Sequence, residues 1–327
     1  MKKAWFEQVD VSEQHFLEYD KKVLETLLMD RTTGRNILWG TDDYCRSEKD
    51  SEYAHDSEIQ IDLITAEHEG MIKPRALKSH DAQKARSKEK AEVFTPAWIC
   101  NAQNNLVDEA WFGYKNPFNA PNTSKTNPHG YTVAPLKKQD SEQKVRFPEG
   151  KNWQQYVLLN RMEVTCGEGP YLVNRYDSIS STVRLRTNLK LRVGLLDRKM
   201  RVICENASTE EEWLVFTKLA YKHIYGFEWQ GDNLLLAREN LLLSLFDYYQ
   251  YHFGKGKMPP IEYVRDIAEI ISWNLWQMDG ITLQLIYSPQ RKYQKYEFFD
   301  DESNETFCKI MDWEANKAIH FASLVKK

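Results

Sequence analysis

The chain has 327 residues, of which 42% are hydrophobic and 13% aromatic, so it can bury a large core. This composition excludes a disordered chain and leaves one large α/β domain with elaborations, or two domains. The formal net charge of −4 excludes a uniformly basic nucleic-acid-binding protein, because any such binding must come from local patches.

Cysteine usage and hydropathy indicate the cellular compartment. The five cysteines are scattered, with no C-x-x-C pair and no Cys/His cluster at zinc-ligand spacing, so we predict free thiols and no metal site. The N-terminus turns acidic at Glu7, and no apolar run approaches the length of a membrane span. We therefore expect a cytoplasmic protein without a membrane partner.

The first part of the chain, residues 1–89, is predicted to be a small α+β region. Apolar residues recur at helical spacing over 12–30, after Ser12 as a candidate cap. Residues 37–39 and 59–63 have the composition and alternation of short strands. None of these elements indicates a chemistry.

A basic segment closes this region between Lys73 and Lys90. Its cations include Lys84, Arg86 and Lys88, which could contact a nucleic-acid phosphate backbone. The alternative is the solvated face of a helix.

The segment leads directly into Phe94-Thr95-Pro96, where proline favours a helix start and Thr95 can cap it. The backbone amides of that first turn could then bind a carboxylate of a ligand. An ordinary helix N-terminus is the alternative there.

Residues 112–150 are predicted to form a long irregular insertion. Five of the eleven prolines fall in this range, separated by Asn, Ser, Thr and Lys. Such a composition is typical of a mobile lid or a surface arm.

A short apolar strand followed by two closely spaced glycines begins at Met162. Gly167 and Gly169 allow positive φ and a close approach of the backbone to a ligand, and Glu163 could meet a positive group on that ligand. An ordinary turn is the alternative.

Residues 183–193 then alternate apolar and basic side chains about Thr187-Asn188, which predicts a hairpin. Its cationic face is either a phosphate contact or a solvated outer face. That face comprises Arg184, Arg186, Lys190 and Arg192.

Two further strands are predicted to end in carboxylates. Residues 224–228 lead to Glu228 and are followed by a long buried helix up to Tyr249. Residues 274–278 lead to Asp279, although Asp279-Gly280 alone is also compatible with a plain turn. A carboxylate at a strand end can accept two hydroxyl donors, as nucleoside binding requires.

These motifs, in this order, resemble S-adenosylmethionine-dependent DNA adenine-N6 methyltransferases, in particular the short methylation subunits of restriction-modification systems. The similar motifs are Phe94-Thr95-Pro96, Glu163 with Cys166-Gly167-Glu168-Gly169, Glu228, and Asp279. The resemblance implies that S-adenosylmethionine is the cofactor and that these residues bind it. Glu163 would lie beneath the methionine ammonium, Glu228 would hold the ribose hydroxyls, and Asp279 would accept from the adenine amine.

Two departures from the family pattern are evident. Glu163-Val164 replaces the usual Asp-Pro, and the catalytic (Asp/Asn/Ser)-Pro-Pro-(Tyr/Phe) motif is missing. The nearest catalytic candidate is Ser288-Pro289, which lacks the second proline and the aromatic residue. A hydrogen-bonding side chain and an aromatic clamp are what transfer to a flipped base requires.

The resemblance therefore implies a Rossmann-like class I methyltransferase sheet over residues 90–327, with insertions at 112–150 and 183–193. The first hypothesis for function is a DNA adenine-N6 methyltransferase of a restriction-modification or phage-defence system. The second is a catalytically inactive cofactor- or nucleic-acid-binding subunit, and the third is a phage counter-defence protein on the same fold. Expected partners are DNA and a restriction, specificity or second methyltransferase subunit.

Overall fold

The computed structural model describes residues 5–45, 47, 51–89, 92, 95–121, 130–133, 144–176, 185–290 and 305–325. The helices of these residues are α1 (Glu13–Tyr19), α2 (Lys21–Leu28), α3 (His80–Glu89), α4 (Ala97–Phe112), α5 (Trp153–Val157), α6 (Leu195–Asn206), α7 (Glu210–Lys222), α8 (Gly231–Phe253) and α9 (Ile261–Asn274). The strands are β1 (Asn119–Pro121), β2 (Tyr131–Val133), β3 (Arg161–Glu163), β4 (Ile224–Glu228), β5 (Leu275–Gln277), β6 (Lys309–Asp312) and β7 (Lys317–His320).

A small parallel sheet lies at the centre, in the spatial order β3-β4-β5. Glu163 pairs with Gly226, and Glu228 pairs with Gln277. Parallel strands require crossover connections, which are supplied by α6 and α7 between β3 and β4 and by α8 and α9 between β4 and β5. The carboxyl ends of all three strands therefore meet at one edge. The predicted mixed α/β class is confirmed, and so are the three predicted strands in this part of the chain.

The longest helix, α8, is buried along most of its length, as predicted from its nearly continuous apolar sequence. Leu234, Leu241 and Leu245 are fully or almost fully buried in the main core. That core extends from Phe6 to Leu275 and so includes residues of the N-terminal region. The helix therefore joins the N-terminal region to the sheet.

The N-terminal region differs from its prediction at two places. The expected helix over 12–30 is split at Asp20, whose extended backbone ends α1 and whose side chain caps α2 by accepting from the Val23 amide. The expected strand over 59–63 is wrong, because Ile61–Leu63 is a turn of 3₁₀ helix. Residues 37–39 are extended, with a single bridge between Leu38 and Glu58.

The segments predicted to be insertions also take specific forms. Strands β1 and β2 make a short antiparallel pair within 112–150. The predicted hairpin over 183–193 is wrong for its described residues 185–193, which are coil and a 3₁₀ turn at Leu189–Leu191. The Asn188 side chain accepts from the Lys190 amide and so starts that turn in place of a strand.

The C-terminal part folds as the antiparallel pair β6-β7, which turns after Asp312. It covers a second apolar cluster that contains Phe227 and Trp276. None of the described helices is long and apolar enough to cross a membrane.

Candidate functional site

A cavity of about 760 Å³ lies at the edge where the parallel strands end. Ligand sites of α/β sheets occur at this edge. The described residues that line it come from the loops after β3 and β4, the start of α8 and three distant segments. They are Gly40, Glu92, Thr95, Glu163, Val164, Thr165, Cys166, Gly167, Pro170, Tyr171, Glu228, Trp229, Gln230, Asn233 and Tyr287.

The glycine loop after β3 is shaped by a run of positive φ angles at Thr165, Gly167 and Gly169 (50°, 52° and 75°). A Cβ at Gly167 would meet no atom within 4 Å, so the backbone there is open to a ligand. A Cβ at Gly169 would lie 3.6 Å from the Ala237 side chain. Gly167 therefore faces the cavity, whereas Gly169 packs the loop against α8.

Glu228 lies at the end of β4 and is 8% exposed. Its Oε2 accepts from the Gly167 amide at 2.8 Å, and its Oε1 accepts from the Gln230 amide at 3.2 Å. Burial raises the pKa of Glu228, and these backbone donors oppose that rise. The side chain thus connects the glycine loop to the start of α8.

Glu163, at the end of β3, is also buried. It accepts from the amides of Tyr171 and Leu172, each at 3.2 Å from Oε2. Burial, and to a smaller extent the nearby Glu228, raise the pKa of Glu163 well above its usual range. Among the described residues that line the cavity there is no lysine, arginine or histidine. The two buried carboxylates therefore lack a cationic partner in that part of the chain.

A third carboxylate, Glu92, is held by the basic segment. It accepts from Arg86 Nε at 3.0 Å, from Arg75 Nη1 at 3.2 Å and from Asn233 Nδ2 at 2.8 Å. Arg86 also binds Asp232 of α8, with Nη1 2.8 Å from Oδ2. Because its charge is matched by two arginines, Glu92 differs from Glu163 and Glu228.

The structure brings most of the predicted cofactor residues together. Thr95, Glu163, Cys166, Gly167 and Glu228 line the cavity. Pro96 precedes α4 as its N-cap, and Phe94 lies outside the described residues.

Asp279 is not among the described lining residues. It accepts from the amides of Ile281 and Thr282 and thus closes a turn. Ser288 and Pro289, the catalytic candidates, are likewise not among those lining residues, although the neighbouring Tyr287 is. The Ser288 amide donates to the Leu285 carbonyl, so this segment is also a turn.

The predicted nucleic-acid contacts fall into two groups. Lys84 and Lys88 are exposed, and Arg186 and Lys190 are partly exposed. Arg86 and Arg192 are buried, and Arg192 Nη2 lies 2.7 Å from Asp247 Oδ2. Buried guanidinium groups bound to internal carboxylates are not available to a phosphate backbone. Arg184 lies outside the described residues.

The lining residues that sequence reasoning missed include Glu92, Trp229, Asn233 and Tyr287. Trp229 directly follows Glu228, and Tyr287 directly precedes Ser288. Their positions next to predicted site residues could therefore have indicated that these two aromatic residues line the cavity. Their rings meet edge to face with centroids 5.4 Å apart. Glu92 and Asn233 carried no signal of their own, since they reach the cavity only through tertiary contacts.

Within the described ranges, no group of three or more His, Cys, Asp or Glu side chains is arranged to hold a metal ion. Comparison of the chain with protein-family models, with curated proteins and with solved structures found no match in any of the three.

Proposed function

We propose that this protein binds S-adenosylmethionine in the acidic cavity and functions as a DNA adenine-N6 methyltransferase-like protein of a restriction-modification or phage-defence system. The observation that supports the cofactor most directly is the pair Glu163 and Glu228. Both are buried in the cavity wall, and their only described hydrogen-bond donors are backbone amides. Buried carboxylates are costly unless a cation compensates them, which favours a cationic ligand.

The charge of the cavity discriminates between nucleotide classes. A phosphorylated cofactor needs cations or a cluster of amides around its phosphates. The described lining has three carboxylates and none of the basic side chains. S-adenosylmethionine has no phosphate and carries a sulfonium and an ammonium, so it fits this lining better than a dinucleotide or a nucleoside triphosphate. The cavity volume, about 760 Å³, is within the usual range for small-molecule sites.

Each part of the cofactor can be assigned a partner. Glu163 would hold the ammonium, and the open backbone at Gly167 would lie against the adenosyl group. Glu228 uses its two oxygens for two amides, but a carboxylate has about four acceptor positions and can still accept from ribose hydroxyls. The bound cofactor supplies a methyl group activated by its sulfonium. The glycine loop after the first parallel strand and the acid after the second support a Rossmann-like arrangement.

The residues of a methyl-accepting site are less complete. Transfer to an adenine amine needs a hydrogen-bonding partner at the nitrogen and an aromatic clamp on the base. Tyr287 and Trp229 place aromatic rings at the cavity, whereas Ser288 is absent from its described lining. This absence favours, as the second candidate function, a cofactor-binding subunit that depends on a partner for catalysis. DNA and a restriction, specificity or second methyltransferase subunit are the partners that we propose.

Calorimetric titration with S-adenosylmethionine and S-adenosylhomocysteine tests the proposed cofactor. We expect binding of both, and Glu228→Gln should weaken it by about 1.5–3 kcal/mol because a charge-assisted hydrogen bond is lost. The matched control is Glu239→Gln, which changes another buried carboxyl group that is not among the described lining residues. Absence of binding at millimolar ligand, or equal losses in both variants, would contradict the proposal.

Methyl transfer separates the two candidate functions. Tritium from labelled S-adenosylmethionine should enter mixed-sequence duplex DNA slowly or not at all with the isolated protein. Robust incorporation that Tyr287→Ala abolishes would establish a complete enzyme with its clamp at the cavity. Robust incorporation abolished by Ser288→Ala would instead assign catalysis to the Ser288-Pro289 turn.

A further inference from the structure

We propose that the side-chain oxygen of Asn233 accepts a hydrogen bond from the ligand in the acidic cavity, and thereby selects ligands with a hydroxyl or amine donor at that position. This inference rests on the proposed function. It assigns a specificity-determining role to a residue outside the motifs that the sequence indicated.

The orientation of the Asn233 amide follows from its neighbour. Asn233 lies in the first turn of α8, lines the cavity and is 1% exposed. Its Nδ2 donates to Glu92 Oε1 at 2.8 Å. An ionised carboxylate held by two arginines can only accept, so the nitrogen must face Glu92. The amide oxygen therefore points away from Glu92.

That oxygen is buried and has no hydrogen-bond partner among the described residues. Buried acceptors are nearly always satisfied, because an unsatisfied one loses its hydrogen bonds to water without replacement. The Asn233 backbone amide is already bound to Asp232 Oδ1, at 2.8 Å, and this further restrains the residue. Since Asn233 borders the cavity, a donor on the ligand is the partner that its position favours.

The position of Asn233 also indicates which part of the ligand it meets. It lies close in sequence to Gln230, whose amide donates to Glu228 Oε1. This neighbour relation assigns Asn233 to the Glu228 side of the cavity, where the nucleoside is proposed to bind. The donors at that end of an adenosyl ligand are the ribose hydroxyls and the 6-amino group.

Three ligands distinguish the ribose hydroxyls from the 6-amino group as the donor. They are S-adenosylhomocysteine, its 2′-deoxy analogue and S-inosylhomocysteine, in which a carbonyl replaces the 6-amino group. We expect one of the two analogues to bind the unmodified protein about tenfold more weakly than S-adenosylhomocysteine. In Asn233→Ala the same ratio should fall, close to one if the 6-amino group is the donor and less completely if a ribose hydroxyl is, because Glu228 still accepts from the ribose. A general loosening of the fold would weaken all three ligands alike and leave the ratio unchanged.

The matched control is Asn105→Ala. Asn105 is also buried with an unpartnered side-chain oxygen, but it is not among the described residues that line the cavity. Its variant should keep the discrimination of the unmodified protein. Equal affinity of the unmodified protein for all three ligands, as expected if an ordered water satisfies Asn233, overturns the inference without any variant. Lack of S-adenosylhomocysteine binding overturns the proposed function and this inference with it.

Discussion

At the scale of single residues, the cavity is defined by charge that is not compensated. Glu163 and Glu228 occupy the ends of adjacent strands and are both buried. The nearby arginines are bound to other carboxylates: Arg86 holds Asp232 and Glu92, and Arg75 holds Glu92. A cationic ligand would supply the missing charge, which makes protonation part of binding.

Ligand binding should therefore depend on pH. Burial raises the pKa of Glu163 well above its usual range, and a cationic ligand beside this carboxylate would lower that pKa. Affinity for S-adenosylmethionine should rise as the pH increases through the range in which Glu163 titrates, with proton release on binding. Titrations in buffers of different ionisation enthalpy measure that release. Glu163→Gln should remove the dependence, and an unchanged profile would mean that Glu163 is not the titrating group.

Arg86 provides a residue-scale test of the buried ion pairs. Removing its charge with Arg86→Met leaves Asp232 and Glu92 without a main partner, and should lower the free energy of unfolding by about 3–5 kcal/mol. Lys84→Met, on the exposed side of the same helix, should change it by less than about 0.5 kcal/mol. Urea unfolding of both variants makes the comparison. Equal small effects would show that the arginine cluster does not stabilise the fold.

At the scale of elements, the start of α8 is in close van der Waals contact with residues 38–40. The Gly231 amide donates to the Trp39 carbonyl at 2.8 Å. The Gln277 side chain binds both the amide and the carbonyl of Leu38, at 2.8 and 2.9 Å. These contacts hold Gly40 at the cavity.

Gly231→Ala should disrupt this junction. A Cβ there would lie 1.9 Å from the Leu38 carbonyl oxygen, so one backbone segment must move. We expect a loss of about 3 kcal/mol in the free energy of unfolding. Gly226→Ala, whose Cβ would approach the Cys166 side chain at 3.3 Å, should cost about 1 kcal/mol. If Gly226→Ala lowered the free energy of unfolding more than Gly231→Ala in chemical denaturation, the backbone around Leu38 would have to move easily to accept the new methyl group.

The exposed lysines of α3 test the proposed DNA contact. If DNA runs along this helix, Lys84→Ala with Lys88→Ala should flatten the slope of log K against log salt by about 0.9 for each lost contact. Replacing the exposed Lys21 and Lys22 of α2 by alanine is the matched control. Fluorescence anisotropy at several salt concentrations gives the slopes. Equal slopes in both double variants would mean that α3 is a solvated surface helix that does not contact DNA.

At the scale of the whole molecule, several carboxyl groups are buried at the junctions between segments. Burial raises the pKa of Glu13 in α1 to about 8 and that of Glu168 in the glycine loop to about 7. Asp10, Glu69 and Glu239 add negative charge around Glu13. Glu168 accepts from the Arg75 amide and the Tyr176 hydroxyl. The protonated forms of both groups are favoured by folding.

Stability should accordingly fall as the solution becomes more alkaline. A carboxyl group whose folded pKa exceeds its unfolded value stabilises the fold at low pH, and loses that contribution as pH rises through the folded value. Burial lowers the pKa of His223 to about 4, and this opposes the trend only below about pH 6.5. Between about pH 6.5 and 8 the contribution of Glu13 and Glu168 to the free energy of unfolding should decline, whereas the buried Lys199, whose pKa burial lowers well below its usual range, acts in the opposite direction. The double variant Glu13→Gln with Glu168→Gln should flatten that decline. An equally steep decline in this variant would mean that other groups cause it.

The sequence by itself determined the local elements and the positions of the strand-end carboxylates. Periodicity predicted α8, and short apolar runs predicted β3, β4 and β5, because these patterns reflect burial of the elements themselves. The predicted cluster of Thr95, Glu163, Gly167 and Glu228 at the cavity follows, since parallel strands end at one edge. Glycine at 167 also indicated the open backbone there.

Only the tertiary structure decided which polar residues face inward. Arg86 and Asp232 are 146 positions apart, so no local pattern distinguished buried Arg86 from exposed Lys84. The same applies to Glu92 and Asn233, which meet across 141 positions at the cavity. The 3₁₀ turns at 61–63 and 189–191 replaced predicted strands because an alternating pattern forms a strand only where a neighbouring strand is available to pair with it. Pairing partners and the burial of charge depend on which distant segments come together.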